Sequence, residues 1–157
     1  RTWEWMHRPE VYERIGVAIP FSHARQELWF ESLQKAGDKM VFAVCRKEDD
    51  EHIGNVSLDM IDSRHRNARL SVFLASEDMR GKGRGSDALR TLTRYAFEFL
   101  NLHRLWCKTD ADDERLVRFY ERLGFVREGT LRDHEFQRGR YVNKALWGIV
   151  RTGPGGS

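Results

Sequence analysis

The sequence is poor in cysteine and has no long apolar run. Only two cysteines occur in 157 residues, Cys45 and Cys107, and each lies in an apolar stretch. Two buried thiols in a reducing, cytoplasmic compartment are therefore expected, rather than a disulfide framework or a metal site. No apolar run approaches the ~20 residues of a membrane-spanning helix, and no signal-peptide pattern is visible. We expect neither a bound metal nor a membrane partner.

An excess of charge is also lacking. The formal net charge is +3, and acids are interleaved with the arginines almost everywhere, which is typical of a mixed, solvated surface. No aromatic platform accompanies the basic residues, so we expect no nucleic-acid partner. One local concentration of charge stands apart, at residues 80–84, where three cations lie among glycines.

The length of 157 residues, with 40% hydrophobic and 32% charged residues, indicates one ordinary globular domain. We assign residues 1–150 to this domain and 151–157 to a flexible tail. No internal repeat is present. A monomer or a homodimer is expected, because tryptophans such as Trp3, Trp5 and Trp29 fit a core and an interface equally well.

The hydrophobic pattern predicts helix, three strands, helix, strand, helix and two strands. Ser22 caps the first of these helices, which ends at Gly37, and Gly124 closes the last. Early hairpins and a central strand–helix–strand unit predict an α/β (α+β) fold, in which helices flank a mixed, largely antiparallel sheet. The predicted ranges are 22–37 (helix), 40–46 (a buried strand), 52–61 and 68–75 (strands), 86–100 (helix), 102–109 (strand), a helix through 123 capped by Asp112 or Asp113, and a hairpin of 125–132 with 140–150.

A glycine-rich loop separates the third predicted strand from the following helix. Its residues are Arg80, Gly81, Lys82, Gly83, Arg84, Gly85 and Ser86. The three glycines let backbone N–H groups turn toward one point because no Cβ intervenes. The helix start adds further N–H groups and the positive end of its dipole. With three cations nearby, the loop predicts an anion site suited to a pyrophosphate.

Three other interpretations of this loop are possible from its glycines. A structural turn that merely needs glycines stays open at this point. A Walker phosphate loop does not fit, since no Gly-Lys-Ser/Thr sequence closes it. Gly83-x-Gly85-x-x-Ala88 has the shape of a dinucleotide fingerprint, but it follows a third consecutive strand. The position about 20 residues further on falls near Arg104, where ribose binding needs an acid, so we reject this interpretation.

Two motifs, separated by one helix and one strand, carry a family resemblance. They are Arg-x-x-Gly-x-Gly at 80–85 and Phe119-Tyr120-Glu121-Arg122-Leu123-Gly124-Phe125. Together they resemble the GNAT superfamily of acyl-CoA-dependent N-acetyltransferases, over nearly the whole chain. His134-Glu135-Phe136 with Gly139-Arg140-Tyr141-Val142-Asn143 further resembles the branch of ribosomal-protein N-terminal and spermidine N-acetyltransferases.

The resemblance implies an acyltransferase (EC 2.3.1 type) with acetyl-CoA as cosubstrate. The loop Arg80–Ser86 would bind pyrophosphate. The strand end Phe73-Leu74-Ala75 would hold pantetheine, and this strand would splay from 104–109 to admit the acetyl group. A backbone N–H near Leu74 would polarise the acetyl carbonyl. Tyr120 would protonate the CoA thiolate as general acid, although a core aromatic is the alternative role.

The sequence also departs from the family pattern. Asp113 replaces the usual asparagine that contacts the cofactor, and it can accept a hydrogen bond but cannot donate one. Leu116 replaces the usual alanine. The family's first strand is not seen, and the chain starts in a first helix at Trp3–Val11. Either a strand precedes Arg1 in the full protein, or this member lacks it.

The general base is not evident. The positions at which relatives carry glutamate are Arg69 and Lys108 in this sequence. Asp59, His65 and His134 are candidates, and each can equally be an ordinary loop or strand-end residue. A base acting through water, or entry of an amine that is already neutral, would also serve.

The expected acceptor is a primary amine of a small molecule or a peptide N-terminus. At two strand positions where the spermidine relatives carry acids, this sequence has Ser57 and Arg69. Spermidine is therefore not expected as the main substrate. Arg69 would suit an acceptor with a carboxylate or phosphate, such as an amino acid, a peptide N-terminus or an amino-sugar nucleotide. Because the base is missing, a non-catalytic acyl-CoA-binding or protein-interaction domain stays open as the alternative.

Overall fold

Four helices and six strands occupy the residues that the computed structural model describes, which are 2–8, 22–76, 83–137 and 139–153. The predicted order of elements is confirmed, and most ends agree within two residues. The helix predicted over Trp3–Val11 is seen as α1, and its remainder beyond Arg8 lies outside the described residues. In chain order the elements are α1 (Thr2–Met6), α2 (His23–Lys35), β1 (Met40–Cys45), β2 (His52–Asp62), β3 (Asn67–Leu74), α3 (Arg84–Glu98), β4 (Arg104–Asp110), α4 (Glu114–Arg122), β5 (Val126–Gln137) and β6 (Arg140–Val150).

The six strands form one sheet in the order β1-β2-β3-β4-β6-β5. Neighbouring strands are antiparallel except β3 and β4, which are parallel and are connected through α3. The predicted α/β (α+β) fold with a mixed, mostly antiparallel sheet is confirmed. The last hairpin is longer than predicted, because β5 continues to Gln137.

The core lies between the sheet and α3. Leu89, Leu92 and Ala96 of α3 are buried, at the helical spacing that the sequence predicts. They share one buried cluster with Leu70 of β3 and with Trp147 of β6, which is fully buried. This helix therefore fixes the position of β3, at whose end α3 begins.

Alternation along the strands sorts their side chains between two faces of the sheet. Val56 and Leu58 of β2, and Ala68 and Leu70 of β3, belong to the cluster under α3. Ser57 and Asp59 of β2, and Arg69 and Ser71 of β3, alternate with these residues and therefore project from the opposite side. We call this side the second face.

Strand β1 corrects one prediction. We expected a buried strand and two buried thiols, but the burial pattern of β1 is exposed to intermediate, and Cys45 is exposed. Only Cys107 is buried, at 3% exposure. The reason is that β1 lies at the edge of the sheet, paired with β2 alone among the described residues. Apolar composition by itself does not distinguish an edge strand from a central one.

Helix α2 is also more exposed than its pattern indicates. Ser22 caps it as predicted, with the N–H of Arg25 donating to Ser22 Oγ at 3.3 Å. None of its residues is buried, and Leu28 is 65% exposed. The residues before α2 from 9 to 21 lie outside the described residues, as do residues 154–157 of the predicted tail.

Candidate active site

Strands β3 and β4 pair over three residues and then diverge. The register joins Asn67–Arg69 to Arg104–Trp106, and no further β3–β4 pairing is found in the described residues. Beyond this point β3 stays paired with β2, and β4 stays paired with β6. A gap therefore opens between two strands that are each held on their other side. This is the splay that the family resemblance implies.

The backbone of β3 turns alternate groups toward this gap. The N–H of Ala75 donates to the carbonyl of Ile53 at 2.9 Å, so Ala75 faces β2. Because backbone groups alternate along a strand, those of Leu74 point toward the β4 side. The segment Phe73–Ala75 is thus the strand end beside the gap, and its contact with pantetheine stays a prediction.

The glycine loop is described in part. Arg80, Gly81 and Lys82 lie outside the described residues, whereas Gly83, Arg84, Gly85 and Ser86 lie within them. Gly83 is the N-cap residue of α3 and has φ = 78°, a left-handed conformation that favours glycine. It has no side chain that could cap the first-turn amides. Such a helix start favours an anion.

Gly85 brings three elements together. A Cβ at this position would lie 3.7 Å from Cδ1 of Leu74 and 3.8 Å from Cζ of Phe119. The first turn of α3 therefore lies against both the end of β3 and the helix that carries Tyr120. The segments expected to bind pyrophosphate and pantetheine thus lie next to each other, and the helix that carries Tyr120 lies against the first of them.

Asp113 is the residue that caps α4. Its Oδ1 accepts hydrogen bonds from the N–H groups of Arg115 at 2.9 Å and Leu116 at 3.1 Å. Gly124, with φ = 84°, follows the helix in the left-handed conformation. Contact between Asp113 and the cofactor stays a prediction. Because Oδ1 caps the helix, Oδ2 is the oxygen expected to make that contact.

Tyr120 lies deep on the helix side of the gap. Its side chain is 5% exposed, and its ring is stacked on Trp147 with centroids 5.9 Å apart. Phe125 adds an edge contact at 5.3 Å. The phenol lies next to the thiol of Cys107. Cys107 is the first residue of β4 beyond the paired stretch, so the Tyr120 side chain lies beside the point where the strands separate.

Burial dominates the ionisation of this pair. It raises the pKa of the Cys107 thiol to about 12, and the hydrogen bond from Tyr120 offsets only part of that effect. The pKa of Tyr120 is raised well above its ordinary value, by burial first and by Cys107 second. Both groups are therefore protonated at neutral pH, and Tyr120 has a proton to donate. Sequence reasoning missed Cys107, although its position on an alternating strand was a usable signal.

The second face of the sheet is polar beside the gap. Ser71 Oγ and Ser57 Oγ are 2.7 Å apart, and Ser57 donates to Asp59 Oδ2 at 3.0 Å. Lys39 Nζ lies 3.0 Å from Asp59 Oδ1, and the Arg69 guanidinium lies 3.7 Å from Asp59 Oδ2. Arg69 therefore projects from the second face, and it is the last residue of β3 that pairs with β4.

A second polar group lies across the gap. Lys108 Nζ is 2.8 Å from His134 Nε2 and 3.4 Å from Glu135 Oε1. Lys144 Nζ is buried between Asp110 Oδ1 at 2.6 Å and Glu135 Oε2 at 2.7 Å. Burial opposes ionisation of Glu135, but Lys144 and Lys108 outweigh it, and the pKa of Glu135 is lowered. The carboxylates of this group are thus neutralised by lysines.

The three base candidates lie in different places. Asp59 is buried on the second face, at 7% exposure. His134 lies on β5 against Lys108. His65 lies in the exposed turn between β2 and β3, where its backbone N–H donates to Asp62 Oδ1 at 2.8 Å. That turn precedes the paired part of β3, so His65 is far along the strand from the gap.

No group of three or more His, Cys, Asp or Glu side chains in the described ranges is arranged to hold a metal ion. No helix in the described part of the chain has both the length and the apolarity to cross a membrane.

Comparisons with known proteins agree with this geometry. A family model described as an acetyltransferase (GNAT) domain matches residues 1–126. The uncharacterized N-acetyltransferase p20 of Bacillus licheniformis is 31% identical over 147 residues, which are 91% of this chain and 82% of that protein. The spermidine N(1)-acetyltransferase of Vibrio cholerae is 36% identical over 100 residues, 64% of this chain and 57% of the relative. This chain therefore spans little more than half of that relative.

A solved structure matches the fold. The spermidine N-acetyltransferase from Vibrio cholerae in complex with CoA and spermine has a TM-score of 0.86 over 95% of this chain and 87% of that one, at 24% identity. Spermidine and putative ribosomal N-acetyltransferases both occur among the relatives, as the resemblance implied. Because the family model matches most of the sequence and p20 matches nearly all of it, the chain belongs to the GNAT acetyltransferase family and is an N-acetyltransferase of the EC 2.3.1 class.

Proposed function

We propose that this enzyme moves an acetyl group from acetyl-CoA to the primary amine of a small molecule or a peptide N-terminus. The observation that supports this best is the gap between β3 and β4. Tyr120 lies beside the point where the two strands separate, and the start of α3 lies beside the end of β3. One end of the gap favours phosphate, and the other end holds a proton donor.

The residues present fit a CoA pyrophosphate. Gly83 gives α3 a start without a capping side chain, and Gly85 in the first turn lies beside Leu74, at the end of β3. Arg80, Lys82 and Arg84 supply cations in the same segment. Backbone amides and the helix dipole would bind the two phosphates, and the cations would add charge-assisted hydrogen bonds.

Acetyl-CoA supplies an activated thioester. The N–H of Leu74, or of a β3 residue near it, would polarise the acetyl carbonyl as oxygen gains negative charge. Tyr120 would donate its proton to sulfur when the C–S bond breaks, and it would take up a proton from solvent afterwards. Because its pKa is raised, Tyr120 keeps this proton until a thiolate forms beside it.

The acceptor is proposed to carry an anionic group. Asp59, Asp110 and Glu135 each lie against a lysine or arginine side chain, so none of them offers an uncompensated charge to a polycation. Arg69, 39% exposed, and Lys108 border the gap. We therefore expect amino acids, peptides or amino-sugar nucleotides to be acetylated faster than spermidine. Comparable turnover of spermidine and the best acceptor would overturn this expectation.

Thermal unfolding is the first test of the proposed function. A ligand at 100 times its Kd stabilises the folded state by about 2.7 kcal/mol, so acetyl-CoA and CoA should both raise the Tm. ATP at the same concentration should raise it much less. Release of CoA thiol with a panel of amines then measures transfer. Equal shifts with ATP and acetyl-CoA would contradict the assignment of the loop.

Two coarser proposals complete the picture. We propose a cytoplasmic location, since a reducing compartment suits the unpaired thiols of Cys45 and Cys107. A monomer or a homodimer is expected, and light scattering after size-exclusion chromatography would decide between them.

A further inference from the structure

Three side chains of the second face form a continuous chain of hydrogen bonds. Ser57 donates its single hydroxyl proton to Asp59 Oδ2 at 3.0 Å, because an ionised carboxylate only accepts. The contact of 2.7 Å between Ser57 Oγ and Ser71 Oγ must then be donated by Ser71. The chain therefore has one direction, from Ser71 through Ser57 to Asp59.

This chain runs from the surface to a buried carboxylate. Ser71 is exposed, whereas Ser57 is 9% and Asp59 is 7% exposed. Ser71 belongs to the part of β3 that no longer pairs with β4. Its side chain projects from the second face, opposite α4, the helix that carries Tyr120. An amine that attacks from the side opposite the departing sulfur would reach Ser71 before the other two groups.

Two cations flank the carboxylate of Asp59. Lys39, just before β1, approaches Oδ1 to 3.0 Å, and Arg69 of β3 approaches Oδ2 to 3.7 Å. Oδ1 is buried and accepts no well-formed hydrogen bond among the described residues. The exposed hydroxyl of Ser71 offers a route back to water.

Resting on the function proposed above, we propose that Ser71, Ser57 and Asp59 form the proton relay that deprotonates the acceptor amine. Ser71 Oγ takes a proton from the ammonium group while its own proton moves to Ser57, and the Ser57 proton moves to Asp59 Oδ2. The nitrogen lone pair then forms the C–N bond, and the C–S bonding pair leaves with sulfur. The second nitrogen proton leaves to water, and Asp59 returns the first proton to water through Ser57 and Ser71 after the product has left.

The protons balance over one turnover. Tyr120 gives one proton to sulfur. Of the two protons that leave nitrogen, one offsets the proton that Tyr120 regains from solvent, and the other is released. Ser71 is thus the catalytic residue that touches the substrate. Ser57 and Asp59 are positioning residues that act through it. This relay supplies the base that the family positions Arg69 and Lys108 do not provide.

The test compares hydroxyl removal with hydroxyl retention at Ser71. Ser71→Ala breaks the relay at its exposed end, Ser71→Thr keeps the hydroxyl, and Ser63→Ala removes an exposed serine in the neighbouring turn. Each variant is assayed by thiol release with acetyl-CoA and the most reactive aliphatic amine of the panel, from about pH 6 to pH 9. General-base assistance is worth roughly 10²–10⁴-fold. We expect Ser71→Ala to lose at least about tenfold in kcat/KM near pH 7, and Thr and the control to lose little.

The pH profile separates a relay from a structural role. A neutral amine needs no initial deprotonation, so the deficit of Ser71→Ala should shrink as pH rises and more amine loses its proton. Ser57→Ala alone, and the double variant Ser57→Ala/Ser71→Ala, should each show the same loss in kcat/KM as Ser71→Ala alone, because the groups act as a unit. A deficit that is constant with pH, or full activity of Ser71→Ala, would overturn the proposal.

Failure of the relay is distinguishable from failure of the proposed function. If the wild-type protein transfers acetyl groups and Ser71→Ala does so equally well, only the relay is wrong. If the wild type transfers nothing to any amine and does not bind CoA, the proposed function is wrong. Asp59→Asn is informative only with its Tm alongside, because it leaves Lys39 without a charged partner, whereas the exposed Ser71 position keeps the test independent of folding.

Discussion

Replacing Tyr120 by phenylalanine removes one hydroxyl and keeps the ring. The stacking on Trp147 and the edge contact with Phe125 do not involve that hydroxyl. The polar group beside it in the protein is the thiol of Cys107, which is a weak donor and acceptor. The loss in folding free energy should therefore be about 1 kcal/mol or less.

The loss in rate should be much larger. A positioned general acid contributes roughly 10²–10⁴-fold, which corresponds to about 3–5 kcal/mol of transition-state stabilisation. Tyr120→Phe should lower kcat by at least about 10²-fold. The affinity for acetyl-CoA should stay close to that of the wild type, because the phenol acts on sulfur only as the C–S bond breaks.

Three measurements on each variant test this reasoning. Thiol release gives kcat, calorimetric titration gives the affinity for acetyl-CoA, and thermal unfolding gives the stability. Tyr95→Phe is the matched control, because it makes the same chemical change on α3, where Tyr95 stacks on Phe99 with centroids 5.7 Å apart. An unchanged kcat in Tyr120→Phe, or an equal fall in Tyr95→Phe, would remove Tyr120 from the mechanism.

Two further predictions concern the glycine loop and the buried thiol. Gly83→Ala and Gly139→Ala place alanine at φ of 78° and 80°, with no atom within 4 Å of either Cβ, so each should cost ~1–2 kcal/mol of stability. Only Gly83→Ala should also weaken CoA binding, by about tenfold, as measured by calorimetry; equal affinities would place the phosphates elsewhere. The pKa of a thiol in the unfolded chain is ~8.5, whereas burial raises the pKa of Cys107 to about 12 in the folded protein. Between these values the unfolded state binds fewer protons, so stability should fall as pH rises, by up to ~1.4 kcal/mol per pH unit. In chemical unfolding, the free energy of unfolding should decline less steeply with rising pH for Cys107→Ala than for the exposed control Cys45→Ala. Parallel declines would contradict the assigned burial.

Local sequence signals located the elements well. Ser22 and Asp113 are N-cap residues in the structure, and the glycines at 83 and 124 both have positive φ. Leu89, Leu92 and Ala96 recur at helical spacing in the sequence, and they are buried in the structure. Caps and helical periodicity are determined by neighbours in the chain, which is why they can be read without a structure.

Features that depend on distant parts of the chain could not be read in this way. The burial predicted for Cys45 was wrong because the sequence does not show that β1 lies at the sheet edge. The contact of Tyr120 with Cys107 depends on how α4 crosses β4. The Ser71–Ser57–Asp59 chain depends on the register of β2 with β3, which pairs Ser57 with Ser71 and Asp59 with Arg69. Register is a property of the sheet as a whole.

A crystal structure with CoA bound would test the central claim most directly. We predict the pyrophosphate at the amides that begin α3 beside Gly83, and the sulfur between β3 and β4 within hydrogen-bond distance of the Tyr120 hydroxyl. Density for CoA that leaves the gap between β3 and β4 empty, or a sulfur remote from Tyr120, would contradict the account.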